Sequence, residues 1–188
     1  MKEKANLIKW PFIIIIMLVI LCPITKGEII PEDAEIKFDG GSGEPNDPYL
    51  ISTAEQLKAI GDPNINNKCF MLIADIDLDP NLPGNKIIIV PFLIRFFGGT
   101  LDGNSHSISN MVIDSYTGIS GGSGFSKDVG FISYLGLHAV VKDLQLQNIT
   151  ICSNGRTVGT LVAENAGKIL RCSVTGNITG VTFVGGLV

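Results

Sequence analysis

The chain has 188 residues, 22 of them glycine, with 14 basic and 18 acidic residues and a formal net charge of −4. Proteins that bind nucleic acid present a basic face, so this acidic balance argues against a nucleic-acid partner. Abundant glycine, few aromatic residues and the lack of a long segment with helical periodicity predict an all-β protein of short strands and tight turns.

The first 27 residues have the composition of an export signal. A basic start over Lys2–Lys9 precedes an unbroken apolar run, Phe12–Cys22, and the small residues Thr25 and Gly27 suit a cleavage site. A membrane span needs about 20 apolar residues, so we favour a cleavable signal over an anchor. Removing residues 1–27 takes away four lysines and one glutamate, which leaves 10 basic and 17 acidic residues and a net charge of −7.

One helix is predicted near the start of the mature chain. The glycine-rich segment Phe38–Gly43 lacks the Lys-Ser/Thr of a phosphate-binding loop, so we interpret it as a tight turn, and Pro48–Ile51 as a strand. Ser52 and Glu55 match a capping box, and Gly61 would end the helix that follows. Such a helix would cover the open end of a stack of strands, where backbone edges are otherwise exposed.

Three carboxylates share one face of a predicted strand. Apolar and acidic residues alternate over Ala74–Asp79, which places Asp75, Asp77 and Asp79 on the same side. Such oxygens can bind calcium, and a cluster of carboxylates can also serve acid–base catalysis. We favour a third interpretation, a solvated outer face whose charges discourage edge pairing. No metal ligand and no catalytic residue is therefore assigned.

The histidines offer no clear catalytic site. Asp102-Gly103-Asn104 predicts a tight turn, and His106 follows it. Histidine suits a general base, but no Ser or Cys nucleophile in a triad-like setting is apparent nearby. We predict a structural hydrogen bond for His106, and His138 makes no stronger case. No cofactor-binding residue is identified.

Cys69, Cys152 and Cys172 remain after residue 27. Their odd number leaves at least one thiol unpaired within the chain, and their spacing fits no zinc-binding pattern. Cys152 and Cys172 would pair if they fell on adjacent turns of a stack. We favour the alternative, in which the cysteines are small apolar side chains in a buried stack.

A short phrase recurs in the last third of the chain. It begins at Val129 (Val-Gly-Phe-Ile), returns 29 residues later at Val158 (Val-Gly-Thr-Leu-Val) and again after 26 residues at Val184 (Val-Gly-Gly-Leu-Val). A repeat of this period predicts a solenoid, in which each unit buries its apolar face against its neighbours.

The asparagines between these phrases are predicted to shape turns. Asn148, Asn165 and Asn177 stand where a turn needs left-handed backbone geometry or a bond from the side chain to the backbone. Turns of this kind that stack on one another can form ladders of asparagine side chains.

The unit at residues 158–176, VGTLVAENAGKILRCSVTG, resembles the GLUG repeat, whose usual form is VGGLVGxNxGxIxNCxxxG. Thr160 and Ala163 replace glycines, and Arg171 replaces the asparagine before the cysteine. Residues 184–188 look like the start of another copy.

Upstream segments extend the likeness. Phe38–Gly43, Pro48–Leu57 and Ala74–Leu78 resemble the leader region often found before GLUG repeats. Gly99–Ile108 is similar to the opening rung of pectin-lyase-like right-handed β-helices. The resemblance covers residues 38–188, nearly the whole mature chain.

This resemblance implies a right-handed parallel β-helix with one short N-terminal capping helix, in an exported bacterial protein that is often large. The expected organisation is a signal peptide (1–27), a leader (28–37), an N-terminal capping region with the first rungs (38–113), a surface loop (114–128) and GLUG-type repeats (129–188) cut short at the C-terminus. GLUG repeats have no established catalytic residues to carry over.

We expect a non-catalytic, adhesin-like module that is extracellular or on the cell surface and belongs to a larger protein with further repeats. Its partner would be a glycan or a surface protein, and it would meet the membrane only through the signal or an anchor outside this sequence. One alternative is a polysaccharide-cleaving enzyme that uses Asp75, Asp77 and Asp79. Another is the non-catalytic front of an exported peptidase, since the HExxH motif is missing here.

Overall fold

The computed structural model describes residues 37–88, 92–115 and 128–188. The predicted signal peptide, all of the leader except its last residue, and most of the predicted surface loop 114–128 lie outside these ranges. The described residues contain one short helix, α1 (Ala54–Ala59), and 15 strands. The strands are β1 (Tyr49–Ile51), β2 (Cys69–Leu72), β3 (Ile76–Asp77), β4 (Phe92–Phe97), β5 (Thr100–Asp102), β6 (Ser107–Ser109), β7 (Val112–Asp114), β8 (Asp128–Leu135), β9 (Val140–Lys142), β10 (Gln145–Cys152), β11 (Thr157–Gly159), β12 (Val162–Asn165), β13 (Lys168–Leu170), β14 (Ser173–Thr179) and β15 (Phe183–Gly185).

The helix begins one residue later than the sequence indicated. Thr53, not Ser52, is the N-cap: its hydroxyl accepts from the Gln56 N–H at 3.3 Å, and the Gln56 side chain accepts from the Thr53 N–H at 3.2 Å. The predicted Ser52–Glu55 capping box is therefore wrong. Ser52 is instead held by other bonds, because its N–H donates to Gln56 Oε1 and its hydroxyl to Asp39.

The helix buries one face against the core. Leu57 and Ile60 are fully buried, and Glu55 is exposed at the first turn. The helix ends at Ala59 with Ile60 as its C-cap, so Gly61 lies just beyond it as predicted.

The strands form three sheets, and every pairing between named strands in the described residues is parallel. The first sheet has the order β1-β2-β5-β9-β13. The second has the order β14-β10-β6-β3, with β7 beside β10, and the third has the order β12-β8-β11-β15, with β4 beside β8. The predicted all-β class is thus confirmed as an all-β fold of parallel strands.

Following the chain, strands enter the first, second and third sheets in turn. After β2, β3 and β4, the next strands β5, β6 and β8 pair with them one for one. The strands β9, β10 and β12 then pair with those of the preceding pass. Parallel strands cannot be joined by a tight hairpin, so the chain must travel through the other two sheets before it returns.

In-register apolar residues fill the space behind each sheet. One row runs across the first sheet (Phe70, Leu101, Val141, Ile169), a second across the second sheet (Ile76, Ile108, Leu146, Val174) and a third across the third sheet (Ile94, Ile132, Val162). All of these side chains are buried except Ile169 and Val174, the last members of their rows, which are half-buried. Burial decreases at β13 and β14.

Aromatic side chains fill the core near α1. The Phe38 ring stacks on Tyr49 with 4.5 Å between centroids, and both approach Phe70, whose ring lies 6.1 Å from that of Phe97. The turn before this cluster needs glycine: Gly41 has a φ of +81°, and a Cβ there would lie 1.8 Å from the Pro48 carbonyl oxygen.

Candidate functional site

The predicted row of carboxylates is present on β3 and the residues around it. Ile76 and Leu78 are buried, while Asp75 and Asp77 are exposed, so the predicted alternation is confirmed over Asp75–Leu78. Asp79 is half-buried, and its Oδ1 accepts from the backbone and side-chain amides of Asn81 at 2.9 and 2.7 Å.

The carboxylates of Asp75 and Asp77 also accept hydrogen bonds from nearby residues. Asp75 Oδ1 accepts from the Ser107 N–H at 2.7 Å, and this bond is the main reason that the pKa of Asp75 lies below its usual value. Asp77 Oδ1 accepts from the Asp79 N–H and from Asn110 Nδ2, both at 2.9 Å. Within residues 37–88, 92–115 and 128–188, no three His, Cys, Asp or Glu side chains are grouped so as to hold a metal ion. The geometry of these residues indicates a role in shaping turns.

The two histidines have different surroundings. His106 Nδ1 is 3.4 Å from Asp75 Oδ1, a contact that ties β6 to the segment before β3 and agrees with the structural role predicted for it. His138 is exposed after β8.

A ladder of side-chain amides runs across the second sheet. Asn148 Nδ2 donates to Asn110 Oδ1 at 2.7 Å, and Asn110 in turn donates to Asp77. Asn110 and Asn148 have φ values of +59° and +52°, so both occupy the left-handed region that asparagine tolerates. The Asn148 N–H donates to Thr175 Oγ1 at 3.1 Å, which carries the ladder onto β14.

The other two asparagines have different positions. Asn165 Oδ1 accepts from the Gly167 N–H at 2.9 Å, which is one of the two predicted roles. Asn177 lies inside β14 opposite Thr150, so the predicted turn at Asn177 is wrong. The register between β10 and β14 shifts between Leu146 and Ile149, and Gly176 is the next residue of β14 to pair, where a Cβ would lie 2.0 Å from the Ile149 carbonyl oxygen.

The three described cysteines are all free thiols and half-buried. Cys152 and Cys172 therefore form no disulfide. Cys172 Sγ lies 3.4 Å from the Leu170 carbonyl oxygen and 3.7 Å from that of Val141, and burial raises the pKa of its thiol.

A cavity on the outer face of the third sheet was missed by sequence reasoning. Its volume is about 400 Å³. The described side chains that line it are two carboxylates, a guanidinium, a hydroxyl and an aromatic ring: Asp128, Glu164, Arg156, Thr157 and Phe183. The Arg156 guanidinium lies 6.0 Å from the centre of the Phe183 ring.

The sequence did contain a signal for this cavity. Asp128, Thr157 and Phe183 are in register across β8, β11 and β15, and each immediately precedes a Val-Gly of the repeat. Because the valines of the repeat point inward, the residue before each valine faces outward. The repeat phrase therefore aligns three outward side chains as well as the core.

Two stacked aromatic rings lie on the same sheet. The rings of Phe96 and Tyr134 are 5.8 Å apart and inclined by 12°, and both side chains are exposed. Tyr134 pairs in register with Phe96 on one side and with Glu164, a cavity residue, on the other. The aromatic pair and the cavity thus share one row across β4, β8 and β12.

Comparison with known proteins gives two curated relatives. Residues of this chain are 33% identical to halomucin of Haloquadratum walsbyi over 154 residues, which is 79% of this chain and 2% of halomucin. They are 31% identical to a putative Gly-rich membrane protein of Evansella cellulosilytica over 143 residues, which is 73% of this chain and 15% of that protein. The chain therefore spans a small fraction of both relatives.

No protein-family model matches the chain, and no solved structure matches it. Within its described residues, no helix is long and apolar enough to cross a membrane.

Proposed function

We propose that this chain is the capped N-terminal part of an exported right-handed parallel β-helix of GLUG-type repeats, and that it serves as a non-catalytic, adhesin-like interaction module at the cell surface. The observation that carries the proposal is the pairing pattern, in which each strand lies beside its counterpart one pass earlier. We propose a right-handed β-helix because the connections between parallel strands of one sheet are almost always right-handed.

The repeat phrase supports the GLUG assignment because a side chain would not fit at the glycine of its Val-Gly step. Val158 and Gly159 pair in register with Val184 and Gly185. A Cβ on Gly159 would lie 2.0 Å from the Val162 carbonyl oxygen, and one on Gly185 would lie 1.7 Å from that of Val188. The Val-Gly step thus turns the backbone so closely that a side chain does not fit.

Two departures from the usual GLUG form are also accommodated. Thr160 and Ala163 stand where the repeat has glycine, and both are buried. The phrase therefore keeps its inward packing at these positions with larger side chains.

The relatives support a surface location and a larger parent protein. One is named as a halomucin and the other as a membrane protein, and this chain corresponds to 2% and 15% of them. With the predicted signal peptide, this favours one segment of a large exported protein that continues through further repeats and meets a glycan or a surface protein.

Protease treatment of intact source cells tests the proposal. We expect peptides from residues 38–188 to be released from intact cells, and mass spectrometry to find a mature N-terminus near residue 28. Release only after lysis, or an uncleaved N-terminus, would contradict the exported location. A crystal structure with left-handed or antiparallel rungs would contradict the β-helix.

A second assay separates the interaction role from the enzymatic alternative. Purified chain is incubated with polygalacturonate, and released reducing ends are measured. We expect none above background. Release that Asp77→Ala abolishes and Asp62→Ala leaves intact would replace the proposed role with polysaccharide cleavage.

A further inference from the structure

Charged and polar side chains converge on the cavity of the third sheet. Within the described part of the chain, the Arg156 guanidinium and the Glu164 carboxylate have no hydrogen bond or ion pair. Thr157 adds a hydroxyl, and Asp128 a second carboxylate. The cavity therefore offers donors and acceptors together, and its volume of about 400 Å³ lies within the range of about 300–1,000 Å³ usual for small-molecule sites.

An exposed aromatic ring forms one wall of the same cavity. Phe183 is 59% exposed, although phenylalanine is mostly buried in proteins, and Arg156 lies over it. An aromatic face beside hydrogen-bonding groups suits a ligand that is apolar on one face and polar at its edges. A pyranose ring has this character, since its axial C–H groups stack on an aromatic ring and its hydroxyls point outward.

From this lining we infer that the cavity binds a neutral saccharide. Carboxylates make strong, charge-assisted bonds to hydroxyl donors, and Glu164 supplies one that has no other partner among the described residues. Among the described residues that line the cavity, two are acidic and one is basic, and the chain as a whole is also acidic. Uronic acids and sulfated sugars would be repelled.

The neighbouring aromatic pair extends the site along the sheet. Glu164 is in register with Tyr134 and Phe96, whose exposed rings stack on each other. Adjacent strands lie about 4.8 Å apart, so these rings continue from the cavity at a spacing that a chain of sugar units can follow. The site therefore favours an oligosaccharide over a single sugar.

This inference deepens the proposed function by naming the class of partner, and it rests on that function for its biological setting. The test itself needs only the folded chain. If the chain is on the cell surface but binds no saccharide, only the saccharide site is excluded. If the chain binds a saccharide but stays inside the cell, only the proposed function is excluded.

Affinity electrophoresis in gels that contain dextran, xylan, mannan, barley β-glucan or polygalacturonate measures the binding. We expect at least one neutral polysaccharide to retard the chain more than polygalacturonate does. Phe183→Ala and Glu164→Ala should each weaken that binding about tenfold. Leu137→Ala, which removes another exposed apolar side chain that is not among the cavity-lining residues, should bind as the parent does.

Three results would overturn the inference: no retardation by any neutral polysaccharide, stronger retardation by polygalacturonate, or unchanged binding in both cavity variants. The three variant sites, Phe183, Glu164 and Leu137, are exposed, and circular dichroism checks that each variant keeps its β spectrum. Glu164→Gln adds a charge test, since it should keep most of the neutral binding and reduce the discrimination against polygalacturonate.

Discussion

The first and last passes of the chain through the three sheets differ in what covers them. Near β1, the helix α1 places Leu57 and Ile60 in the core, and aromatic rings from Phe38 to Phe97 pack beside them. In the last pass, β13–β15, Leu170, Val184 and Phe183 are 41–59% exposed. Both regions are held by parallel strand pairing, so they differ mainly in how well their side chains are packed. Comparing their stabilities therefore measures what side-chain packing adds to the backbone hydrogen bonds. The predictions below use matched substitutions in the two regions.

The largest contrast is expected between two phenylalanines. Phe70 is fully buried among Phe38, Tyr49 and Phe97, so Phe70→Ala should lower the free energy of unfolding by about 3–5 kcal/mol. Phe183→Ala, in the exposed pass, should change it by less than about 0.5 kcal/mol. Urea unfolding followed by circular dichroism measures both, and equal effects would contradict the uneven packing.

Two glycines of the repeat give the next contrast. A Cβ on Gly159 would lie 2.0 Å from the Val162 carbonyl oxygen, so Gly159→Ala should destabilise by about 2–3 kcal/mol. Gly186 has nothing within 4 Å of the equivalent Cβ position, and Gly186→Ala should be nearly neutral. Thermal unfolding of the pair separates the effects. A neutral Gly159→Ala would show that the backbone turn there is wrongly placed.

The asparagine ladder should be worth less than core packing. Asn148→Ala removes the bond to Asn110 and puts alanine in the left-handed region, for an expected loss of about 2 kcal/mol. Asn148→Gly keeps the backbone geometry and should recover about half of that loss. Asn177→Ala, in the exposed strand β14, is the control and should cost less than about 0.5 kcal/mol. Similar losses in all three would argue against a ladder.

A buried hydroxyl offers a chance to stabilise the fold. Thr160 is fully buried, and its Oγ1 has no hydrogen-bond partner in the described residues. Thr160→Val keeps the shape and removes the unpaired group, so we expect a gain of about 1 kcal/mol in the free energy of unfolding. Thr175→Val loses the bond to Asn148 and should instead destabilise. A loss of stability in Thr160→Val would indicate that its hydroxyl is satisfied.

The smallest expected effect is a loss of stability at acidic pH. Arg171 lowers the pKa of Asp143 by a two-point ion pair, and Ser52 and Gln56 lower that of Asp39. A carboxyl with a lowered folded pKa binds fewer protons than in the unfolded chain, so its contribution is present above the unfolded value of about 3.9. It is lost as pH falls through the lower folded pKa. Unfolding midpoints should therefore be level from neutral pH to about pH 5 and decline below about pH 4, less steeply in Asp143→Asn.

Local patterns in the sequence determined the class of the fold and the direction of many side chains. The alternation around Asp77 and the inward direction of Val129 and Val158 depend on strand geometry alone. Strand geometry repeats every two residues, so it can be read without knowing the partner strand.

Pairing between distant residues was decided only by the tertiary structure. The ladder uses Asn110 and Asp77, which lie 38 and 71 positions before Asn148, and leaves Asn177 outside it. The helix is capped by Thr53 and not by the predicted Ser52, because Ser52 is bonded to Asp39 and Gln56. The outer cavity joins residues of four strands or their flanks. The repeat phrase aligns Asp128, Thr157 and Phe183, but nothing in the sequence places Arg156 and Glu164 beside them.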